Sequence, residues 1–169
     1  RKGKMTEEQV RAALSKTNYF GTMLVKMGKA DCLLGGATYS TADTIRPALQ
    51  LVKTKPGNKI VSSCMIMVKG DEKLVMADPA INVDPNEDEL VEIAIESAKT
   101  AKIFGIDPKV AMLSYSTHGS GKGPTVDKVA NATKKIKEAC PDLAVDGELQ
   151  FDASVDMEVA SLKCPGTSF

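Results

Sequence analysis

The stretch GGATYSTADTIRP, residues 35–47, combines residue types that suit a phosphate group. Two glycines precede three clustered hydroxyl side chains, Thr38, Ser40 and Thr41, and Arg46 follows in or near the first turn of a predicted helix. Helix N-termini present unpaired N–H groups and partial positive charge, and a guanidinium can bind two phosphate oxygens at once. The pattern indicates an anion site. An ordinary helix cap beside a surface arginine is the alternative, and composition alone favours it.

A second candidate is the loop LSYSTHGSGKGP, residues 113–124, which joins an apolar run to a periodic segment as phosphate-binding loops do. The motif G-x-x-x-x-G-K-[ST] fails here. With its second glycine at Gly121, the first glycine would be Ser116, and the hydroxyl residue that holds magnesium would be Gly123. The dinucleotide motif G-x-G-x-x-G fails because Pro124 replaces its last glycine. The loop is therefore not predicted to bind a nucleoside triphosphate.

The same loop can still serve a ligand, because it follows a predicted strand at the edge where α/β sheets bind small molecules. Its hydroxyl residues are Ser114, Ser116, Thr117 and Ser120. His118 is the only histidine of the chain. It could act as a general base, but no acid lies near it in sequence, and a solvated loop histidine is the favoured interpretation.

Two acids in VDGELQFDAS, Asp146 and Glu148, are spaced to share one face of a strand. They could bind a hard cation, whereas structural roles, including helix capping by Asp152, explain the pattern equally well. The four cysteines form no CxxC pair; they are Cys32, Cys64, Cys140 and Cys164. We therefore expect no metal site and no tightly bound cofactor.

Charge and hydropathy exclude several classes of partner. The chain has 169 residues with 22 basic and 22 acidic side chains, and no basic patch that would favour nucleic acid. No apolar run approaches the roughly 20 residues of a membrane span. No signal peptide is evident, so the cytoplasm is the expected compartment. Because the sequence starts at Arg1 and stops in the loop-like CPGTSF, we expect a fragment.

Periodicity and capping signals predict the elements that position these residues. Thr6 and Gln9 form a capping box before a helix. The predicted elements up to residue 77 are helices at 7–15 and 18–27, a short buried strand in ADCLLGG, a helix with Pro47 in its first turn, and a hairpin with arms at 60–69 and 73–77 around a Gly70-Asp71 turn.

The second part of the chain alternates helices and strands. Asn86 and Glu89 form the capping box of its clearest helix, which Gly105 ends. The buried stripe of that helix is predicted to comprise Leu90, Ile93, Ala94, Ala98, Ala101 and Ile103. A strand at 109–115, a helix at 125–139, a strand at 143–148 and a helix at 151–163 follow. The alternation predicts a parallel sheet covered on both faces, to which the hairpin adds antiparallel strands to make it mixed.

Several longer segments resemble the phosphate acetyltransferase (phosphotransacetylase) family. They are RKGKMTEEQV, NYFGTMLVKMGKADCLLGGA, GATYSTADTIRPALQLVKTKPG, ESAKTAKIFGIDPKVAMLSYSTHGSGKGP and DLAVDGELQFDASVDMEVASLKCPGT, and together they extend over essentially the whole chain. The resemblance implies an acyltransferase that moves an acetyl group between acetyl phosphate and coenzyme A. It further implies a cytoplasmic homodimer with its active site in a cleft between two lobes.

The implied fold is a three-layer α/β/α arrangement with a mixed sheet, like that of isocitrate and isopropylmalate dehydrogenases. The candidate linker KTKPGN, at 53–58, divides it. Residues 1–52 then belong to a partial first lobe, 53–165 form a complete second lobe, and 166–169 begin the return to the first.

The resemblance also assigns site residues. Arg46 matches an active-site arginine and Arg1 a second, while Ser40 and Thr41 match the acetyl-phosphate side of the cleft. Tyr39 stands where the family commonly has histidine. The loop at 113–124 becomes a cleft-lining segment, in which Ser116 and Thr117 are expected to meet substrate.

The family continues beyond PGT with an NxGN segment and an SRG motif followed by aspartate, which bind coenzyme A and activate its thiol. Since this chain has none of them, we expect it to be inactive alone, and His118 does not replace them. Two alternatives stay open: a phosphate butyryltransferase, and the acetyl-CoA-sensing domain of a malic enzyme fusion.

Overall fold

A computed structural model describes residues 5–167 of the chain. It divides into two compact units, with the boundary between Val61 and Ser62. The first unit contains helices α1 (Glu7–Leu14), α2 (Thr17–Lys26) and α3 (Thr41–Leu51). The lobe assignment at 1–52, 53–165 and 166–169 stays a prediction.

Local capping in the first unit follows the sequence signals, whereas its predicted strand is wrong. The capping box of Thr6 and Gln9 opens α1 as expected. ADCLLGG forms no strand, and the side chain of Leu34 is 97% exposed. A strand needs a neighbour that receives its backbone hydrogen bonds, and the described part of this unit contains no other strand.

Pro47 lies inside α3, as the seventh residue of the helix, and not in its first turn as the sequence predicted. A proline in a helix cannot donate a hydrogen bond to the carbonyl four residues earlier, here that of Asp43. The side-chain amide of Asn18, on α2, donates to this oxygen at 2.6 Å. The proline is tolerated because a neighbouring helix supplies the missing donor.

The second unit contains one hairpin and an alternating series of helices and strands. Strands β1 (Cys64–Lys69) and β2 (Glu72–Ala77) pair antiparallel around Gly70, whose φ is 60°, as predicted. The remaining elements are α4 (Glu87–Ile103), β3 (Lys109–Leu113), α5 (Pro124–Ala139), β4 (Ala144–Leu149), α6 (Phe151–Val155) and α7 (Met157–Lys163).

The sheet arrangement corrects one expectation and the last helix another. β3 pairs parallel with β4, and the β1–β2 hairpin forms a separate sheet, so a single mixed sheet is wrong for residues 5–167.

The helix predicted at 151–163 is divided at Asp156, which adopts an extended conformation and accepts hydrogen bonds from the amides of Glu158 and Val159. A side-chain cap competes with helix continuation at such a residue.

The main core of the second unit lies where α4 and α5 pack on β3 and β4. Ala132 and Ile136 of α5 are completely buried there. The predicted stripe of α4 is buried at Ile93, Ala94, Ala98 and Ala101, with Leu90 partly buried against the core. Ile103 is 82% exposed and was wrongly included, because two residues beyond Ala101 a helix has turned by roughly 200°.

This core predicts the effect of shortening two isoleucines. Ile136→Ala should lower the free energy of unfolding of the chain by about 2–5 kcal/mol, because it leaves a cavity in a closed core. Ile103→Ala, the matched control, should change it by less than about 0.5 kcal/mol. Urea unfolding followed by circular dichroism measures both, and equal losses would contradict the assignment of the core.

Candidate functional site

The predicted anion turn of the first unit forms a capped helix start. Ser40 is the N-cap of α3, and its hydroxyl oxygen accepts the amide hydrogen of Asp43 at 3.2 Å. Thr41 is the first helical residue and is exposed. Arg46 is the sixth residue, one turn beyond the free amide groups. The hydroxyls and the arginine predicted from sequence thus lie on consecutive turns of one helix.

Asp43 connects the two predicted residues Ser40 and Arg46. Its Oδ2 accepts a hydrogen bond from the Ser40 hydroxyl at 2.8 Å, and its Oδ1 accepts one from Arg46 Nη1 at 3.3 Å. The side chains of Arg46 and Asp43 are 56% and 52% exposed. A pair so exposed contributes little stability. The guanidinium is thus oriented but weakly held, and an anion of higher charge can compete for it.

The loop before α3 is attached to the start of α2. The phenolic oxygen of Tyr39 and the hydroxyl of Thr17 lie 2.5 Å apart. Together with the bond from Asn18 to Asp43, this contact secures the predicted anion turn from one side. Sequence reasoning missed Thr17, Asn18 and Asp43 as parts of the site. The unusual position of Pro47 was the one signal that could have pointed to them.

Arg1, the second predicted arginine, lies outside the described residues, and its role stays a prediction. The other predicted substrate residues lie in the second unit, where Ser116 is fully buried and Thr117 is 4% exposed. The Thr117 hydroxyl accepts from the amide of Gln150 at 3.0 Å and donates to its side-chain oxygen at 3.3 Å. Substrate contact by Ser116 and Thr117 also stays a prediction, and it would require these side chains to exchange protein partners.

The loop at 113–124 is folded around the carboxylate of Glu148, on β4. Glu148 Oε1 accepts hydrogen bonds from the Ser116 hydroxyl at 3.0 Å and from the Gly119 amide at 2.6 Å. The Ser116 oxygen in turn accepts the amide of Gly121 at 2.9 Å. Burial opposes ionisation of Glu148, but these bonds outweigh it and lower its pKa. The carboxylate therefore organises the loop.

His118 has an acid partner that its sequence neighbourhood did not show. Its Nε2 lies 3.3 Å from Oδ2 of Asp146, which also accepts a 2.7 Å hydrogen bond from Thr167. Burial opposes ionisation of Asp146, and the bonds from Thr167 and the Gly147 amide, with the charges of His118 and Lys137, nevertheless lower its pKa. The pairing of β3 with β4 shifts register between Met112 and Leu113 and passes over Glu148, so the strand is irregular between the two acids and their shared face stays a prediction.

Three further observations concern the described residues as a whole. A cavity of about 500 Å³ in the second unit is lined mainly by β2, α4, β3 and the α6–α7 segment, and by none of the predicted site residues. No three His, Cys, Asp or Glu side chains within residues 5–167 form a group able to hold a metal ion. No helix in the same range is long and apolar enough to cross a membrane.

Comparison with known proteins gives consistent matches over the whole chain. The profile of a family described as phosphate acetyl/butaryl transferase matches residues 1–169. A phosphate acetyltransferase of Bacillus subtilis is 58% identical over 165 residues, which are 98% of this chain and 51% of that protein. One from Staphylococcus aureus is 54% identical over 170 residues, 98% of this chain and 52% of its own.

Solved structures agree with these relatives. A phosphotransacetylase from Streptococcus pyogenes superposes with a TM-score of 0.88 at 56% identity, covering 99% of this chain and 51% of that one. The EutD phosphotransacetylase from Staphylococcus aureus gives 0.86 at 51% identity, covering 100% and 52%. The chain spans about half the length of the curated relatives it matches.

The carboxylate at Glu148 predicts a pH-dependent contribution to stability. Because its pKa is lower in the folded chain than its ordinary 4.5, the ionised group stabilises the fold above that value. The contribution is lost as the pH falls through the lowered folded pKa. Glu148→Gln should therefore reduce the free energy of unfolding at pH 7 by about 1–3 kcal/mol and flatten its decline toward pH ~3.

Urea unfolding at a series of pH values measures both effects. Glu138→Gln, at an exposed glutamate of α5, is the control and should leave stability at pH 7 within about 0.5 kcal/mol of the parent chain. If Glu148→Gln leaves both the stability at pH 7 and the acid slope unchanged, the carboxylate does not organise the loop.

Proposed function

The chain belongs to the phosphate acetyl/butaryl transferase family, and we propose on this basis that it supplies part of an enzyme that transfers an acetyl group between acetyl phosphate and coenzyme A. One observation in the structure supports Arg46 as part of the phosphate-binding site. Arg46 is half-exposed on the second turn of α3, in one hydrogen-bonded group with Ser40 and Asp43.

Phosphate release explains why such an arginine is useful. In the proposed reaction the coenzyme A thiolate attacks the acetyl carbonyl, a carbon–sulfur bond forms, and the carbon–oxygen bond to phosphate breaks. Negative charge grows on the departing phosphate during the second step. A guanidinium that binds this phosphate stabilises the transition state more than the ground state, which raises the rate.

We assign the remaining predicted residues to this reaction as proposals. Ser40, Thr41 and Tyr39 belong to the acetyl-phosphate side, and Arg1 is a second phosphate ligand. Ser116 and Thr117 contact substrate after exchanging their present partners. Asp43 already occupies the place at this helix start that an anion favours, so the acyl phosphate must compete with it for Arg46.

The larger setting is also a proposal. It comprises the three-layer α/β/α fold of isocitrate and isopropylmalate dehydrogenases, a homodimer and a cytoplasmic location. Coenzyme A serves as a substrate, and no cofactor is tightly bound. Identities above 50% to proteins named phosphate acetyltransferase favour acetyl over butyryl transfer.

The site assignment predicts a large effect of one substitution. The test uses a family-length protein in which this chain replaces the corresponding segment of the Bacillus subtilis relative. Arg46→Ala should reduce its turnover roughly a hundredfold to a thousandfold, about 2.7–4 kcal/mol of transition-state stabilisation. Arg46→Lys should recover little, because an ammonium cannot bind two phosphate oxygens in the same planar geometry.

Acetyl-CoA formation from acetyl phosphate, followed by thioester absorbance, measures these rates. His118→Ala is the control and should keep a near-normal rate, because the proposed reaction assigns it no step. A normal rate for Arg46→Ala beside an inactive His118→Ala enzyme would place the active site in the other loop.

The 169-residue chain by itself should show no turnover in the same assay, since it spans only about half of its relatives' length. Addition of the remaining family sequence in the fused protein should produce activity. Measurable acetyl-CoA formation by the chain alone would contradict the proposed need for a coenzyme A side from elsewhere in the family sequence.

A further inference from the structure

The proline inside α3 places an unusual demand on the helix that carries Arg46. Pro47 is buried, and its ring cannot donate to the carbonyl oxygen of Asp43. In a helix this carbonyl would otherwise accept the amide hydrogen of residue 47. Asn18 Nδ2 reaches the same oxygen at 2.6 Å and so replaces the missing donor.

The orientation of the Asn18 amide is determined by its other contacts. Its Oδ1 accepts the amide hydrogen of Tyr19 at 3.0 Å, which leaves Nδ2 directed at Asp43. The backbone carbonyl of Asn18 accepts the hydroxyl of Thr22, a buried residue, at 2.7 Å. Rotating the amide by half a turn would bring two oxygens together, so only one orientation fits.

Asp43 connects the hydrogen bond from Asn18 to the proposed site. Its backbone carbonyl is bound by Asn18, while its carboxylate accepts hydrogen bonds from Ser40 and Arg46. We propose that Asn18 is a positioning residue for the acyl-phosphate site. Its amide replaces the hydrogen bond that Pro47 removes from α3, and thereby holds the turn that orients Arg46. This inference rests on the proposed function, because it assumes that Arg46 binds the acyl phosphate.

A second bond between the same two helices provides a matched control. The Tyr19 hydroxyl donates to Gln50 Oε1 at 3.0 Å, close to the C-terminal end of α3 and one turn beyond Arg46. Both bonds join α2 to α3, but only the one from Asn18 replaces a lost helical bond. A purely structural role for α2 would make both bonds matter equally for substrate binding.

The test uses the family-length protein defined above and a double-mutant cycle. Asn18→Ala should lower kcat/KM for acetyl phosphate on the order of tenfold, because it leaves the Asp43 carbonyl without its donor. The KM for coenzyme A should stay within about twofold, since the proposed site concerns only the phosphate side. Asn18→Asp should lower kcat/KM at least as much, because it places a carboxylate oxygen against the carbonyl oxygen.

Pro47→Ala supplies the rescue, since an alanine at this position has an amide hydrogen for the Asp43 carbonyl. In that background Asn18→Ala should change kcat/KM for acetyl phosphate by less than about twofold, measured against Pro47→Ala alone. Tyr19→Phe should lower the urea midpoint without changing the KM for acetyl phosphate.

The outcomes separate this inference from the proposed function. Normal kinetics for Arg46→Ala would contradict the proposed function, because Arg46 would then not bind the acyl phosphate. If Arg46→Ala is impaired, the inference is overturned by any of three results: normal kinetics for Asn18→Ala, an Asn18→Ala effect that persists unchanged in the Pro47→Ala background, or an equal loss in Tyr19→Phe.

Discussion

The carbonyl oxygen of Asp43 needs a hydrogen-bond donor that its own helix cannot supply. Pro47 removes the helical donor, which leaves this exposed carbonyl free for a partner outside its own helix. The chain meets this requirement with Asn18, on the preceding helix. This bond joins α2 to α3 at the turn that precedes Arg46, and the bond from Tyr19 to Gln50 joins the same helices further along. A proline that would normally disrupt a helix thus makes the helix depend on its neighbour.

In the second unit, two carboxylates accept hydrogen bonds from donors that lie far away in sequence. Glu148 binds a hydroxyl and an amide of the loop at 113–124, and Asp146 binds the side chains of His118 and Thr167. Every fully buried side-chain nitrogen or oxygen in the described part of the chain has a partner. Hydrogen bonds to Glu148 thus hold the loop in its conformation, and the loop resembles a phosphate-binding loop only in sequence.

The two candidate regions differ in how available their polar groups are. Ser116 and Thr117 are buried and bonded within the second unit, whereas Arg46, Thr41 and Tyr39 are exposed in the first. A group that must receive a charged substrate and release a charged product benefits from weak existing bonds, because strong ones would have to be broken at each turnover. The half-exposed pair of Arg46 and Asp43 meets this condition. This contrast supports the proposal that Arg46, and not the loop at 113–124, binds the phosphate group.

The sequence by itself determined the features that depend on residues a few positions apart. The capping boxes at Thr6 and Asn86 and the hairpin turn at Gly70 have their partners close by, so local pattern was sufficient. The family resemblance, carried by long segments, was also readable, and the family profile confirms it.

Tertiary structure alone decided the features whose partners are distant in sequence. Asn18 and the Asp43 carbonyl are 25 residues apart, and the Ser116 and Glu148 side chains 32 apart. The separation of the strands into two sheets, and the failure of ADCLLGG to form a strand, likewise depended on which backbone edges met. Local propensity cannot anticipate such contacts, because the free energy that selects them arises only when distant segments pack together.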